Sequence, residues 1–463
     1  KIPIEVIIKN EAKREQNRIV EVPYVIQKVK KINIYIENLN KNFSNYTDTL
    51  QYKSLTLYSD GKLNYKPKSL ASGIFIKEAF PYSDQDRSDT YRYFSELQIF
   101  KYPSINFETD KQDSLNLVSS IYLTPREPFS IGFDLDLSHS NIQFFGISLG
   151  SSIISRNIFK GTEILELGLK GTSGASKDLA EKDDSFFNIF EIGGDLKLRI
   201  PRMVFPFNNA SIKNYFEKPK TNIIIGSSFQ KNIGLDKQNF VGALEYQWNK
   251  KEIYKFNLKL FDLEFVNNKA ISNYFNVYRN SYDRLNSIAQ SIRYNSEFVN
   301  ENDDLIIPEG TSEFINQVLL EKTSLKPVNE SYKDVRVIQE REKRLTSNNF
   351  ILGTSFSFNK NNQENIFDEN FSQFQFKIVS SGNLLTNLLN LTTKEKNEDG
   401  KLEFLDVIPS QFIKTEFNYI KHWSVGDEQV IAMRMFSGIA IPYGNSDNIP
   451  FTRSYFGGGA NDN

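Results

Sequence analysis

From Phe129 onward, apolar and polar residues alternate along runs that are separated by polar turns. Alternation sends successive side chains to opposite faces of a strand, so each run predicts a strand with one apolar and one polar face. Between Asn239 and Trp248, Phe240, Leu244, Tyr246 and Trp248 share one face, with Asn239, Glu245 and Gln247 on the other. Between Ile253 and Leu260, Tyr254, Phe256, Leu258 and Leu260 oppose Lys255, Asn257 and Lys259. A hairpin turning through Asn249–Glu252 joins these two runs. The same pattern predicts eleven strands near 129–138, 141–156, 162–172, 186–200, 221–232, 238–249, 252–265, 349–359, 371–380, 411–423 and 428–441.

Connections after even-numbered strands are mostly short: Arg156–Gly161, Asn249–Glu252, 360–370 and Ser424–Asp427, with 201–220 the long exception. The longest connections, 266–348 and 381–410, follow odd-numbered strands, although those near His139-Ser140 and 233–237 are short. Short turns at one end and long loops at the other are the rhythm of an up-and-down barrel in a membrane. A soluble sandwich also alternates, with its apolar face turned inward, and the pattern alone leaves that choice open for each strand.

Residues 1–125 have a mixed texture. Ile2–Ile8 is a short β-rich run suited to the last strand of a preceding module, with 1–30 as that module's end and a linker. Ile32, Ile34 and Ile36, at period two, open a second module over 31–125. Lys66-Pro67 and the residues after it predict a helix near 68–76, and Ser83 caps a second one near 84–98 that carries Tyr91, Phe94 and Leu97. Strands over Phe100–Phe107 and Leu115–Leu123 complete the order β-α-α-β-β.

Composition narrows the classes. The 463 residues carry 56 basic and 57 acidic side chains, a net charge of -1, which gives no electrostatic footprint for nucleic acid. Mean hydropathy is -0.45. No apolar run approaches the ~18 residues of a spanning helix, whereas a barrel strand needs only ~9–11 alternating residues. The 38 Phe and 22 Tyr against 2 Trp, with no Cys, suit a barrel in an oxidising compartment without disulfides. Absent cysteine removes any Cys nucleophile or Cys-ligated metal. His139 and His422 stand in no metal or nucleophile context, so no catalytic residue, metal site or cofactor is expected. Asp134, Asp136, Glu166, Lys197, Arg199, Glu416 and Arg434 lie on strands without catalytic partners and read as solvated groups on a watery inner face. The chain opens at Lys1 with no export signal and ends in the run Gly457–Asn463, so it is expected to be a piece of something longer.

The most specific segment is Ile449–Asn463. Pro450-Phe451, the aromatic pair Tyr455-Phe456 and Gly457-Gly458-Gly459 resemble the in-folded loop of the BamA/TamA outer-membrane superfamily, also called the bacterial surface antigen family. In that family the loop leaves strand eleven, where the strand count also places it. The chain stops at Asn463, before the family's arginine. Arg156, Asn157, Phe159, Gly161 and Glu163 are similar to the Asn/Gly turn after the family's second strand, and the N-terminal order resembles a POTRA repeat. The segments "KPKSL…FPYS" and "GGGAN" look most like the TamA-like subgroup of Bacteroidetes-type bacteria.

The resemblance implies a mainly β protein: a membrane-spanning antiparallel up-and-down β-barrel over 126–463, incomplete in this chain, preceded by a small α+β POTRA-type module. It implies insertion or translocation of other proteins at the outer membrane of a Gram-negative bacterium, with the module in the periplasm and no cofactor. The first strand, with Phe129, Ile131, Phe133, Leu135 and Leu137 on its apolar face, would be the seam that templates an incoming strand. Implied partners are outer-membrane lipid, nascent outer-membrane or exported proteins, and periplasmic or inner-membrane accessory proteins. The rival readings are a passive porin or receptor and a TpsB-like secretion pore.

Overall fold

The computed structural model describes residues 11–15, 18–22, 25–36, 46–139, 143–176, 189–204, 217–232, 236–269, 271–392, 396–397, 400–405, 407–426 and 429–455. The run Ile2–Ile8 therefore lies outside the described residues, as do Phe456 and the three glycines after it. The chain divides into two compact units, one of 1–129 with 155–164, the other of 130–154 with 165–463.

The first unit begins with a hairpin of β1 (Glu11–Glu15) and β2 (Arg18–Val22). A five-stranded sheet follows, made of β3 (Lys28–Ile36), β4 (Asp48–Tyr52), β5 (Leu55–Ser59), β6 (Phe100–Thr109) and β7 (Asn116–Pro125), in the order β4-β5-β3-β7-β6. The central β3 runs parallel to both neighbours. Its Ile32, Ile34 and Ile36 are buried with Leu55, Leu57, Ile121 and Leu123, the period-two face doing what its spacing dictates. On the opposite face Tyr35 stacks between Tyr58, at 4.8 Å, and Tyr122, at 5.0 Å, one ring from each of three paired strands.

Between β5 and β6 come α1 (Pro67–Ala71) and α2 (Asp84–Glu96), which bury Leu70, Thr90, Tyr93 and Phe94. Ser83 accepts the Asp86 N–H at 3.2 Å, the capping bond that starts α2.

Two expectations need correction here. The order is β-β-β-α-α-β-β, because residues 48–59 form a hairpin that carries no glycine turn signal; Lys53 itself takes the left-handed conformation, φ 55°. The first helix ends at Ala71 rather than near residue 76, and a Cβ on Gly73 would run into the Tyr93 ring.

The second unit is one meander of eleven antiparallel strands. These are β8 (Phe129–Ser138), β9 (Gln143–Arg156), β10 (Ile164–Ser176), β11 (Ile189–Ile200), β12 (Glu217–Asn232), β13 (Lys237–Lys250), β14 (Tyr254–Asn268), β15 (Asn349–Asn361), β16 (Ser372–Ser381), β17 (Phe412–Gly426) and β18 (Gln429–Pro442). Each pairs with its sequence neighbours, in the order β18 to β8, so the fold is mainly β with the up-and-down topology of a barrel wall. The eleven strands stand within a few residues of where the alternation puts them.

The expected strand at 252–265 starts two residues later, since Lys251 and Glu252 form the turn with φ 53° and 54°. The connection before β12 shortens because that strand begins at Glu217. The apolar face of the wall points away from protein: Phe133 is 82% exposed, and Leu149, Leu169, Ile192, Ile225, Ile431 and Ile439 are exposed too. A sandwich would bury that face, whereas a lipid-facing wall leaves it bare. No helix among the described residues is long and apolar enough to cross a membrane, which says nothing of strands.

The two long connections fold. Between β14 and β15 lie α3 (Tyr274–Val277), α4 (Arg279–Ser291), α5 (Glu309–Leu319) and α6 (Glu330–Thr346), which enclose their own core of Tyr274, Leu285, Phe314, Val318 and Val335. Between β16 and β17, α7 (Asn383–Thr392) packs Leu385 and Leu389 with Leu402 and Val407 against Phe350.

Candidate functional site

The strand expected at the seam, β8, is an edge of the eleven-stranded sheet and pairs only with β9 among the described residues. Phe129, Ile131, Phe133, Leu135 and Leu137 are 65% to 82% exposed, alternating with Ser130, Gly132, Asp134 and Asp136. A second edge belongs to β18, whose Val430, Ile431, Met433, Met435, Ile439 and Ile441 are exposed.

The Asn/Gly turn belongs to the first compact unit. Its Arg156 donates from Nε to Gln98 O at 3.2 Å and from Nη1 to Glu127 O at 3.0 Å, and Asn157 Nδ2 donates to Asn64 O at 2.8 Å. The Lys66 N–H bonds Lys160 O at 2.6 Å. Within the turn, Asn157, Lys160 and Thr162 all adopt positive φ, and Glu163, 1% exposed, accepts the Gly161 N–H at 2.8 Å. Phe159 is exposed. These bonds make the turn a strut between the helical segment and the start of β6, a role that the Asn/Gly spacing did not reveal. Burial pushes the nearby Tyr65 phenol up to about 12.

At the chain's other end, Pro450 and Phe451 open a short 3-10 turn, and Tyr455 reaches β17 and β18. The Tyr455 hydroxyl donates to Thr415 O at 2.9 Å, its ring lies 4.1 Å from Lys414 Nζ, and it meets Phe436 edge-on at 5.9 Å. Gly438 makes room for it, since a Cβ there would stand 2.5 Å from the ring. Lys414 also donates to Arg453 O at 2.9 Å and pairs with Glu416 at 3.1 Å. Arg453 Nη2 lies 2.7 Å from Glu264 Oε2 and 3.9 Å from Asp262 Oδ2 on β14. Segment 450–455 thus lies on the charged face of the sheet, where it contacts three strands.

Arg453, Lys414, Glu264 and Gly438 were not singled out by the sequence reading. The isolated glycine inside the β18 pattern was a usable signal of close approach. The pairing of Arg453 with Glu264 crosses 189 residues and had none. Of the other charged strand residues, Arg434 donates to Asn418 at 3.0 Å and Lys197 pairs with Asp195 at 2.8 Å. Among the described residues no group of three or more His, Cys, Asp or Glu could hold a metal.

No family model matches this chain, and no curated protein matches it. Among solved structures it is similar to BamA from Haemophilus ducreyi lacking POTRA domains 1-3, at 12% identity and a TM-score of 0.46, with 89% of this chain covered. The chain spans 63% of that chain's length. It is also similar to CdiB from Escherichia coli, at 10% identity, a TM-score of 0.39 and 90% and 69% coverage of the two chains. For CdiB from Acinetobacter baumannii the values are 8%, 0.25, 91% and 68%. Likenesses of this size leave function to be argued from the residues.

Proposed function

We propose that this chain is part of an outer-membrane barrel that inserts or translocates other proteins by templating their strands along β8. The observation that carries the reading is β8, which pairs only with β9 among the described residues and leaves its apolar side chains, Phe129 to Leu137, bare. In a bilayer no water satisfies an open N–H or C=O, so such an edge must pair with another strand. A nascent strand entering the membrane has the same need, and mutual pairing meets both.

The wall sits in the outer membrane of a Gram-negative bacterium, and the POTRA-type module of 31–125 lies in the periplasm, where it meets clients or accessory proteins. The closer kinship is with TamA-like proteins. The work is mechanical: pairing and burial drive it, with no cofactor and no bond made or broken. The folded-back 450–455 segment supports this reading over that of a passive pore, because its Arg453 and Tyr455 tie distant strands together on the inner face.

The test is a photo-crosslinking amino acid at Phe133 and, separately, at Phe417 of the complete protein in its native membrane. Client adducts at 133 and none at 417 are expected. A passive pore gives adducts at neither position, and that result rejects the proposal.

A further inference from the structure

The insertion between β14 and β15 takes hold of the folded-back segment directly. Arg344, in the last turn of α6, donates from Nη2 to Ser454 Oγ at 2.6 Å. Three successive residues are therefore gripped by three different elements: Arg453 by β14, Ser454 by α6 and Tyr455 by β17.

The geometry closes on itself. β14 supplies Glu264 to Arg453 and then leads into the insertion, which returns through α6 to Ser454. Its neck is locked where the Asn268 N–H bonds Asn348 Oδ1 at 2.7 Å and Asn268 Nδ2 donates to Ser347 O at 2.8 Å. Helical bonding runs to that neck, with the Ser347 N–H on Lys343 O at 3.1 Å. Arg344 is thus held by a helix anchored at its end and packed on its own core through Val335 and Ile338.

We propose that the 271–346 insertion is a clasp: Arg344 on Ser454 keeps segment 450–455 seated on β14, β17 and β18, and displacement of α6 releases it. Ser454 suits this role because its neighbours bind the wall, so a pull at Ser454 acts on both. The guanidinium–hydroxyl bond is charge-assisted, stronger than a neutral one, and sits at an exposed helix end that a partner can reach. The clasp stands apart from strand templating, since it concerns the segment's own opening.

Hydrogen exchange of the complete protein in lipid bilayers tests it without any client. The Arg453 and Ser454 amides are bonded to Pro450 O and Phe451 O, so their exchange reports opening of the turn. R344A and S454A should each speed exchange over 450–455 about tenfold, the scale of one lost charge-assisted bond, with α4–α6 unchanged. E340A is the control, because Glu340 pairs with Arg336 on the same helix, and it should change nothing. Unchanged exchange over 450–455 in both R344A and S454A overturns the clasp. Equal acceleration across α4–α6 overturns it as well, because the insertion would then have lost its own fold.

Discussion

Across β13 to β17 the wall is joined by rings. Trp248 stacks on Phe256 at 5.3 Å, Phe256 meets Phe358 at 5.2 Å, Phe358 meets Phe374 at 5.9 Å, and Phe374 meets Phe417 at 5.0 Å, one residue from each strand. Across β8 to β12 glycine is more frequent, at Gly132, Gly150, Gly168, Gly193, Gly194 and Gly226, against Gly242 and Gly353 inside β13 to β17. Several of these have neighbours where a Cβ would stand: Ser152 Oγ at 2.8 Å from Gly132, Leu169 Cδ2 at 2.9 Å from Gly194, and Val241 Cγ2 at 3.1 Å from Gly226. Aromatic cross-strand pairs add stabilisation beyond their area, whereas strand glycines weaken a sheet and allow it to bend. The stiff half carries the folded-back segment and both helical insertions, and the pliant half carries the proposed seam. The aromatic contacts and the proposed templating strand thus fall in different parts of one sheet.

The largest effect is expected from the ladder. Phe256→Ala removes contacts with Trp248, Phe356 and Phe358 and should cost about 2–4 kcal/mol in urea unfolding of the lipid-reconstituted protein. Leu169→Ala on the pliant half, where the side chain is exposed, should cost clearly less. Equal costs erase the contrast between the halves.

Gly194→Val drives a branched side chain against Leu169 and Gly168 O, and about 1–3 kcal/mol is expected from overpacking. Activity should fall further than that loss of stability accounts for, measured as client assembly per folded molecule. A fall in activity that merely tracks unfolding counts against a functional bend.

The first unit, outside the eleven-stranded sheet, supplies a pH control. Burial raises the Tyr65 phenol to about 12, above the ordinary 10 that it has when unfolded. Its contribution to the stability of the first unit is therefore complete below pH 10 and lost as pH climbs towards 12. Tyr65→Phe should flatten the pH dependence of that unit's unfolding between pH 10 and 12, and an unchanged slope shows that the phenol is solvated. The smallest effect is expected from Gly438→Ala, about 1 kcal/mol, through loss of the Tyr455 to Thr415 bond. Hydrogen exchange of the Arg453 and Ser454 amides should speed up slightly as the turn loosens.

The strands were legible because a wall one sheet thick keeps strict period two, and the long insertions were legible from loop parity. The hairpin at 48–59 was not, because its turn uses Lys53 where a glycine would have announced it. Nor were the irregularities in register between Leu244 and Glu245 and between Lys259 and Asp262. A bulge changes which residues share a face, and the second of these is what sets Asp262 and Glu264 towards Arg453. The site at 450–455 was half legible: Pro450, Phe451 and Tyr455 stood out as a motif, while the partners that hold the segment came from strands far away in sequence.

Pairing of β8 with a client strand is directly measurable, because these 463 residues carry no cysteine to compete with an introduced one. Single cysteines at each position from Ser130 to Ser138 of the complete protein are combined with single cysteines along the last strand of a client arrested during assembly. Disulfides confined to one antiparallel register, shifting along β8 as the client cysteine shifts, are the expected result. Disulfides scattered without register, or none on β8, contradict it.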